Sequence, residues 1–209
     1  PRDESCNLGI VFIFYWKNMD NHNDENNSKK SDFEYIYSVI KEVSLKYIND
    51  NDSNFRGLSE EIIEELENQY DRKFPEAYRS FLKTMAARLP KIFDCQLYNK
   101  EGIENAQEVA AELLEQDRAS LPEGAFAFSQ WQGYQFYYFV DDGTANPETF
   151  YYREGGDQKP HTIAYYGCFT DWLINLSIYN MQIFQRLNGY EIDEGVKILQ
   201  GLLKQKGSK

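Results

Sequence analysis

GLSEEIIEELENQYDRKFPEAYRSFLKTMAARL, Gly57 to Leu89, reads as two amphipathic helices joined by a short elbow. Ser59 is a good N-cap, and Glu60, Glu61, Glu64 and Glu65 place negative charge near the positive end of the first helix dipole. Ile62, Ile63, Leu66 and Tyr70 recur at helical spacing and give that helix one apolar stripe. Pro75 sits where proline is tolerated, at the first position of a second helix, and Ala77, Tyr78, Phe81, Leu82, Met85 and Leu89 form the next stripe. The elbow falls at Asp71 to Phe74.

Upstream of the pair, Leu8 to Trp16 (LGIVFIFYW) is the most apolar run of the chain, yet it is less than half of the ~20 residues a bilayer crossing needs. It reads as a buried or edge β-strand. Pro-Arg-Asp-Glu-Ser lacks the basic start of a signal peptide, and no small-residue cleavage site follows. Lys17 to Ser31 is rich in Asn, Asp and Lys without periodicity and reads as a linker, its His22 simply solvated. Ser31 and Glu34 form a capping box for a helix in which Phe33, Ile36, Tyr37, Ile40, Val43 and Tyr47 recur, ending near Ile48.

Downstream, Ile92 to Tyr98 reads as a short strand and Lys100 to Gln116 as a helix with Ile103, Ala106, Val109, Ala110, Leu113 and Leu114 inward. Three strands follow, Ala125 to Trp131, Tyr134 to Val140 and Thr149 to Arg153, separated by Gln132-Gly133 and by the turn-forming DDGTANP. A fourth, His161 to Tyr166, precedes a helix opening at Cys168 or Thr170 and ended by Asn188-Gly189. Asp193 to Lys204 makes a last helix. In the second strand Tyr134, Phe136, Tyr138 and Val140 alternate with Gln135, Tyr137 and Phe139, so both faces are aromatic. One face must be core; the other is covered by the terminal helices or left open as an aromatic surface.

A chain of 209 residues accommodates one domain, or one domain with an extension, and buries roughly 70% of its unfolded surface. Charged residues make up 27% and mean hydropathy is −0.67, which argues against a membrane protein. The net charge of −12 is spread along the chain and repels phosphate backbones and anionic lipid, whereas a basic protein is steered toward it. Cys6, Cys95 and Cys168 are scattered, and His22 and His161 are the only histidines, so neither a metal ligand set nor a disulfide framework can be assembled by spacing. Three reduced thiols and a cytoplasmic protein without cofactor are expected.

Catalytic candidates fare poorly. Asp141 and Asp142 are neighbours whose side chains point to opposite faces of a strand, and they precede a glycine, a position acids favour for turn hydrogen bonds. Cys168 near His161 lacks an orienting third residue and an oxyanion loop, Ser59 lacks a nucleophile elbow, and no glycine-rich phosphate loop is present. No catalytic residue is expected.

The pattern Leu-Ser-Glu-Glu-x-Ile-x-x-Leu-Glu from Leu58, followed by Phe-Pro-Glu-x-Tyr-x-x-Phe-Leu from Phe74, resembles the amino-terminal helix pair of the SUKH superfamily. The aromatic strands GAFAFSQWQGYQFYYFVDD…ETFYYRE and the segment CFTDWLINL at Cys168 to Leu176 fit the same template, so the resemblance covers about Phe55 to Tyr179. It departs after Met85, where Ala86-Ala87-Arg88 stands in place of an Asn-Gly turn. The superfamily takes in fungal cell-wall-assembly regulators and many bacterial immunity proteins. The resemblance implies an α+β domain over residues 55–209, with a small antiparallel sheet of four to six strands and helices on one side. Residues 1–54 would then be an N-terminal extension, and the last helix a C-terminal one.

It also implies an immunity protein that binds and neutralises a cognate bacterial toxin, expected to be a basic nuclease-type effector, by direct protein–protein interaction. The alternative is a regulatory or scaffold module of the fungal-regulator type, with an enzyme of unknown class third. The protein is expected to be a monomer or weak homo-oligomer, without nucleic acid or membrane as partner. Aromatic residues rimmed by acids suit a protein interface, which places the partner on Trp131, Tyr134, Asp141, Asp142, Glu148, Tyr151, Tyr152 and Glu154.

Overall fold

The structure, a computed structural model, describes residues 32–88, 90–93, 98–154 and 164–206. The expected strand at Leu8 to Trp16, the linker before Asp32, both histidines, Cys6 and Cys95 lie outside the described residues.

Helix α1 (Asp32–Tyr47) turns Ile36, Tyr37, Ile40 and Val43 inward. The Tyr37 hydroxyl donates to the carbonyl of Ala77, at the start of helix α3 (Glu76–Met85), so α1 is fastened to the helix pair. Helix α2 (Glu60–Gln69) opens on Ser59, whose side chain accepts from the Ile62 amide at 3.5 Å. Pro75 stands at the N-cap of α3 and supplies no side-chain cap. The stripe Ala77, Tyr78, Phe81, Leu82 and Met85 is wholly buried, as its periodicity predicts.

Entry into α2 requires a glycine. A Cβ on Gly57 would lie 1.6 Å from the Lys83 carbonyl oxygen, because the backbone runs against the end of α3 and the Leu58 amide donates to Leu82 at 2.8 Å. Where the resemblance calls for Asn-Gly, Ala86 caps α3 in right-handed geometry and the Ala87 amide bonds the Arg56 carbonyl at 2.8 Å.

The strand expected at Ile92 to Tyr98 is corrected: Lys91–Phe93 is a single turn of 3-10 helix, and residues 94–97 lie outside the described residues. Tertiary hydrogen bonds decide it. Lys91 N–H donates to the buried Asp50 carboxylate at 2.7 Å, and the Asn180 amide donates to the Ile92 carbonyl at 2.9 Å. The apolar side chains of Ile92 and Phe93 are buried without any ladder.

Helix α4 (Lys100–Gln116) begins on Asn99, whose side chain accepts from Gly102 N–H at 3.0 Å. It leads into one antiparallel sheet, β1 (Ala125–Trp131), β2 (Gln135–Val140), β3 (Glu148–Arg153) and β4 (Ala164–Cys168), in sequential order. A register shift between Ala127 and Ser129 interrupts the β1–β2 ladder. Helix α5 (Phe169–Asn188) follows β4 directly and ends at Gly189 in the left-handed conformation; α6 (Asp193–Lys206) is the last described element.

Helices pack on both sides of the sheet rather than on one. On the first face Phe126, Phe128, Tyr137 and Phe139 join Tyr78, Phe81, Phe169 and Trp172 in the main core, with Phe128 and Trp172 edge to face at 4.8 Å. On the second, Ala127, Phe136, Tyr138 and Tyr152 pack beneath Ala110 and Leu113 of α4. The physical reason lies in β2 itself. A strand aromatic on both faces gains from burying both, and α4, immediately upstream, covers the second face in place of the terminal helices.

Candidate functional site

The eight residues expected to form one interface are distributed over two ends and two faces of the meander. Trp131 and Tyr134 flank the β1–β2 turn, and the Glu154 amide donates to the Tyr134 carbonyl at 2.9 Å, so these three share one end. Asp141, Asp142 and Glu148 lie at the other end, beyond the far terminus of β2, roughly 20 Å away at about 3.3 Å per strand residue. Tyr151 pairs with Tyr137 and packs partly against the main core. Tyr152 pairs with Phe136 on the opposite face and is 5% exposed, its ring stacked on Phe136 at 5.1 Å. Its hydroxyl donates to Asp117 at 2.6 Å; burial, and then this carboxylate, push the tyrosine pKa up to about 12. Tyr152 is therefore a latch between β3 and the end of α4, not an exposed anchor.

The acidic turn is a structural clip. Asp141 accepts from Gly143 N–H at 3.1 Å and Asp142 from Thr144 N–H at 3.0 Å, so both carboxylates close local turns. Hydrogen bonding from Thr144, first through its side chain and then its amide, holds the Asp142 carboxyl below its usual range. The following residues satisfy two helix ends at once. Ala145 O accepts from Ala77 N–H of α3, Pro147 O accepts from Phe169 N–H of α5, each at 2.8 Å, and the Asn146 side chain accepts from Thr170 N–H at 3.2 Å. Asn146 also donates to Cys168 Sγ at 3.0 Å, and that thiol donates to Asp171 at 3.1 Å. Cys168 thus sits inside the clip; His161, its supposed partner, lies outside the described residues.

Two glutamate-rich helices stand beside the sheet. On α2 Glu60, Glu65 and Glu67 are matched by cations, while Glu61 and Glu64 form no ion pair among the described residues. Glu67 is only 2% exposed and accepts from Lys73 Nζ at 2.8 Å, Phe74 N–H at 3.0 Å and Arg79 Nε at 3.1 Å, which pins the elbow between α2 and α3. Burial pushes its pKa up, but the hydrogen bonds from Lys73, Phe74 and Arg79 outweigh this and leave it below the ordinary carboxyl value. Glu60 meets Arg79 and, at 2.6 Å, Lys83; hydrogen bonds from these two bring its pKa down to about 2. Glu65 accepts from Lys100 at 2.6 Å.

On α4 the acids form no ion pair among the described residues. Glu104 accepts from the Gln69 amide at 3.4 Å and, like Glu101, lies in the field of Lys100, while no described lysine, arginine or histidine stands within 4.0 Å of Glu101, Glu108, Glu112 or Glu115. Glu104, Glu108 and Glu112 follow one another four residues apart on the outward side of the helix. Like charges at that spacing cost about 0.2–0.5 kcal/mol per pair, so this face weakens the helix that carries it. Burial of Ile103, Ala106, Ala110 and Leu113 on the inner side offsets that cost. The periodicity of these glutamates is visible in the sequence, where the inward stripe of this helix draws the eye and the acids pass unread as a surface.

The turn end of the sheet leans on this helix. Gln130 donates to Asn105 at 2.9 Å, the Gln107 amide reaches the Ala127 carbonyl, and Tyr152 reaches Asp117. Half-buried Trp131 and Tyr134 stand at that turn, Trp131 opposite Gln135 in the ladder and so on the face of the sheet away from α4. Among the described residues, no group of three or more His, Cys, Asp or Glu is placed to hold a metal ion, and no helix is long and apolar enough to cross a membrane. In comparisons with known proteins, residues 57–175 match the model of the SMI1/KNR4 family (SUKH-1). No curated protein and no solved structure matches the chain.

Proposed function

Since the chain belongs to the SMI1/KNR4 family (SUKH-1), we propose that it is a protein-binding immunity module that neutralises a cognate basic toxin by direct contact. The observation that carries this reading is the row Glu104, Glu108 and Glu112, which form no ion pair among the described residues, on the helix that Gln130 ties to the β1–β2 end of the sheet. Carboxylates without an ion-pair partner among the described residues keep most of their field for an incoming basic surface, which raises the encounter rate. Trp131 and Tyr134 then supply contact area with few rotors to freeze, and Glu154 with the α4 glutamates supplies the rim. Asp141, Asp142 and Glu148, at the far end, act on encounter at a distance rather than in the contact itself. Occlusion of the toxin suffices for protection, and no bond need be made or broken.

The test uses the full chain and the protein encoded by the gene directly upstream. Co-expression should restore growth, and the purified pair should associate about tenfold more slowly when salt is raised from about 50 to about 300 mM. Absence of both protection and complex would overturn the proposal. A salt-insensitive complex with a non-toxic partner would favour the regulatory or scaffold alternative.

A further inference from the structure

We draw no further inference here: the strongest candidate, the apolar ledge of Tyr179, Ile183 and Leu187 on the C-terminal half of α5, exposed at Tyr179 and Leu187, carries nothing because no feature of the structure shows what covers it.

Discussion

Glu60, Glu65 and Glu67 of α2 each meet a cation, and Glu67 meets two together with a backbone amide. Glu101, Glu108, Glu112 and Glu115 of α4 meet none among the described residues. Both helices are amphipathic and both carry a run of acids, so composition does not distinguish them. The difference is where the bases fall. Lys73 in the elbow and Arg79 and Lys83 past it lie within reach of α2, whereas Lys100 at the start of α4 pairs with Glu65 of α2 and acts on Glu101 and Glu104 only through its field. The first set of acids holds the fold; the second is available to something outside it.

The largest expected losses come from the core that both helices serve. Phe81→Ala or Trp172→Ala should each lower stability by about 3–5 kcal/mol in chemical denaturation, since both rings are buried in the main aromatic cluster. An unchanged midpoint for either would mean that the packing around α3 and α5 is not as described. Next comes the direct contrast between the helices. Glu67→Ala strips a buried carboxylate from Lys73 and Arg79 and should cost about 3 kcal/mol, while Glu108→Ala should leave the midpoint within about 0.5 kcal/mol. Equal effects would erase the distinction.

Acid titration sharpens the same contrast. The folded pKa values of Glu67 and Glu60 lie below their ordinary 4.5, so the stability they contribute is complete above about 4.5 and is lost as pH falls below it, for Glu60 through about 2. Thermal midpoints measured over that window should fall for the native chain and fall less steeply for Glu67→Ala; parallel curves would count against the pin. A smaller effect is expected at the β3–α4 latch, where Tyr152→Phe should lose about 1 kcal/mol. That loss should vanish at alkaline pH: the raised tyrosine pKa means the contribution is full below 10 and disappears as pH rises through about 12.

Local chemistry made much of the fold legible. The periodic Ile103, Ala106, Ala110 and Leu113 mark α4 as read, and Gln132-Gly133 and Asn188-Gly189 mark real chain reversals and ends. Ile92 and Phe93 misled, because a short apolar run gives no period to separate strand from turn, and the hydrogen bonds from Lys91 to Asp50 and from Asn180 to Ile92 come from residues distant in the chain. The candidate site suffered from the same blindness to partners. An aromatic strand shows that two faces need cover, but not that α4 covers one of them and withdraws Tyr152. Acids in DDGTANP look like a surface feature, while Ala145 and Asn146 bind the starts of α3 and α5 at positions no local pattern reveals. Glu104, Glu108 and Glu112 could be seen in the sequence; that they form no ion pair among the described residues could not, since ion pairing is set by the fold.

The central claim, that the α4 acids serve a partner and not the fold, is tested most directly with Glu104→Gln, Glu108→Gln and Glu112→Gln combined. The thermal midpoint of the variant and its association rate with the upstream-encoded protein would be measured side by side. Removing two like-charge pairs should hold or raise stability, by up to about 0.5 kcal/mol per pair, while association slows about tenfold and loses much of its salt dependence. A lowered midpoint with unchanged association would contradict the account and return these glutamates to the fold.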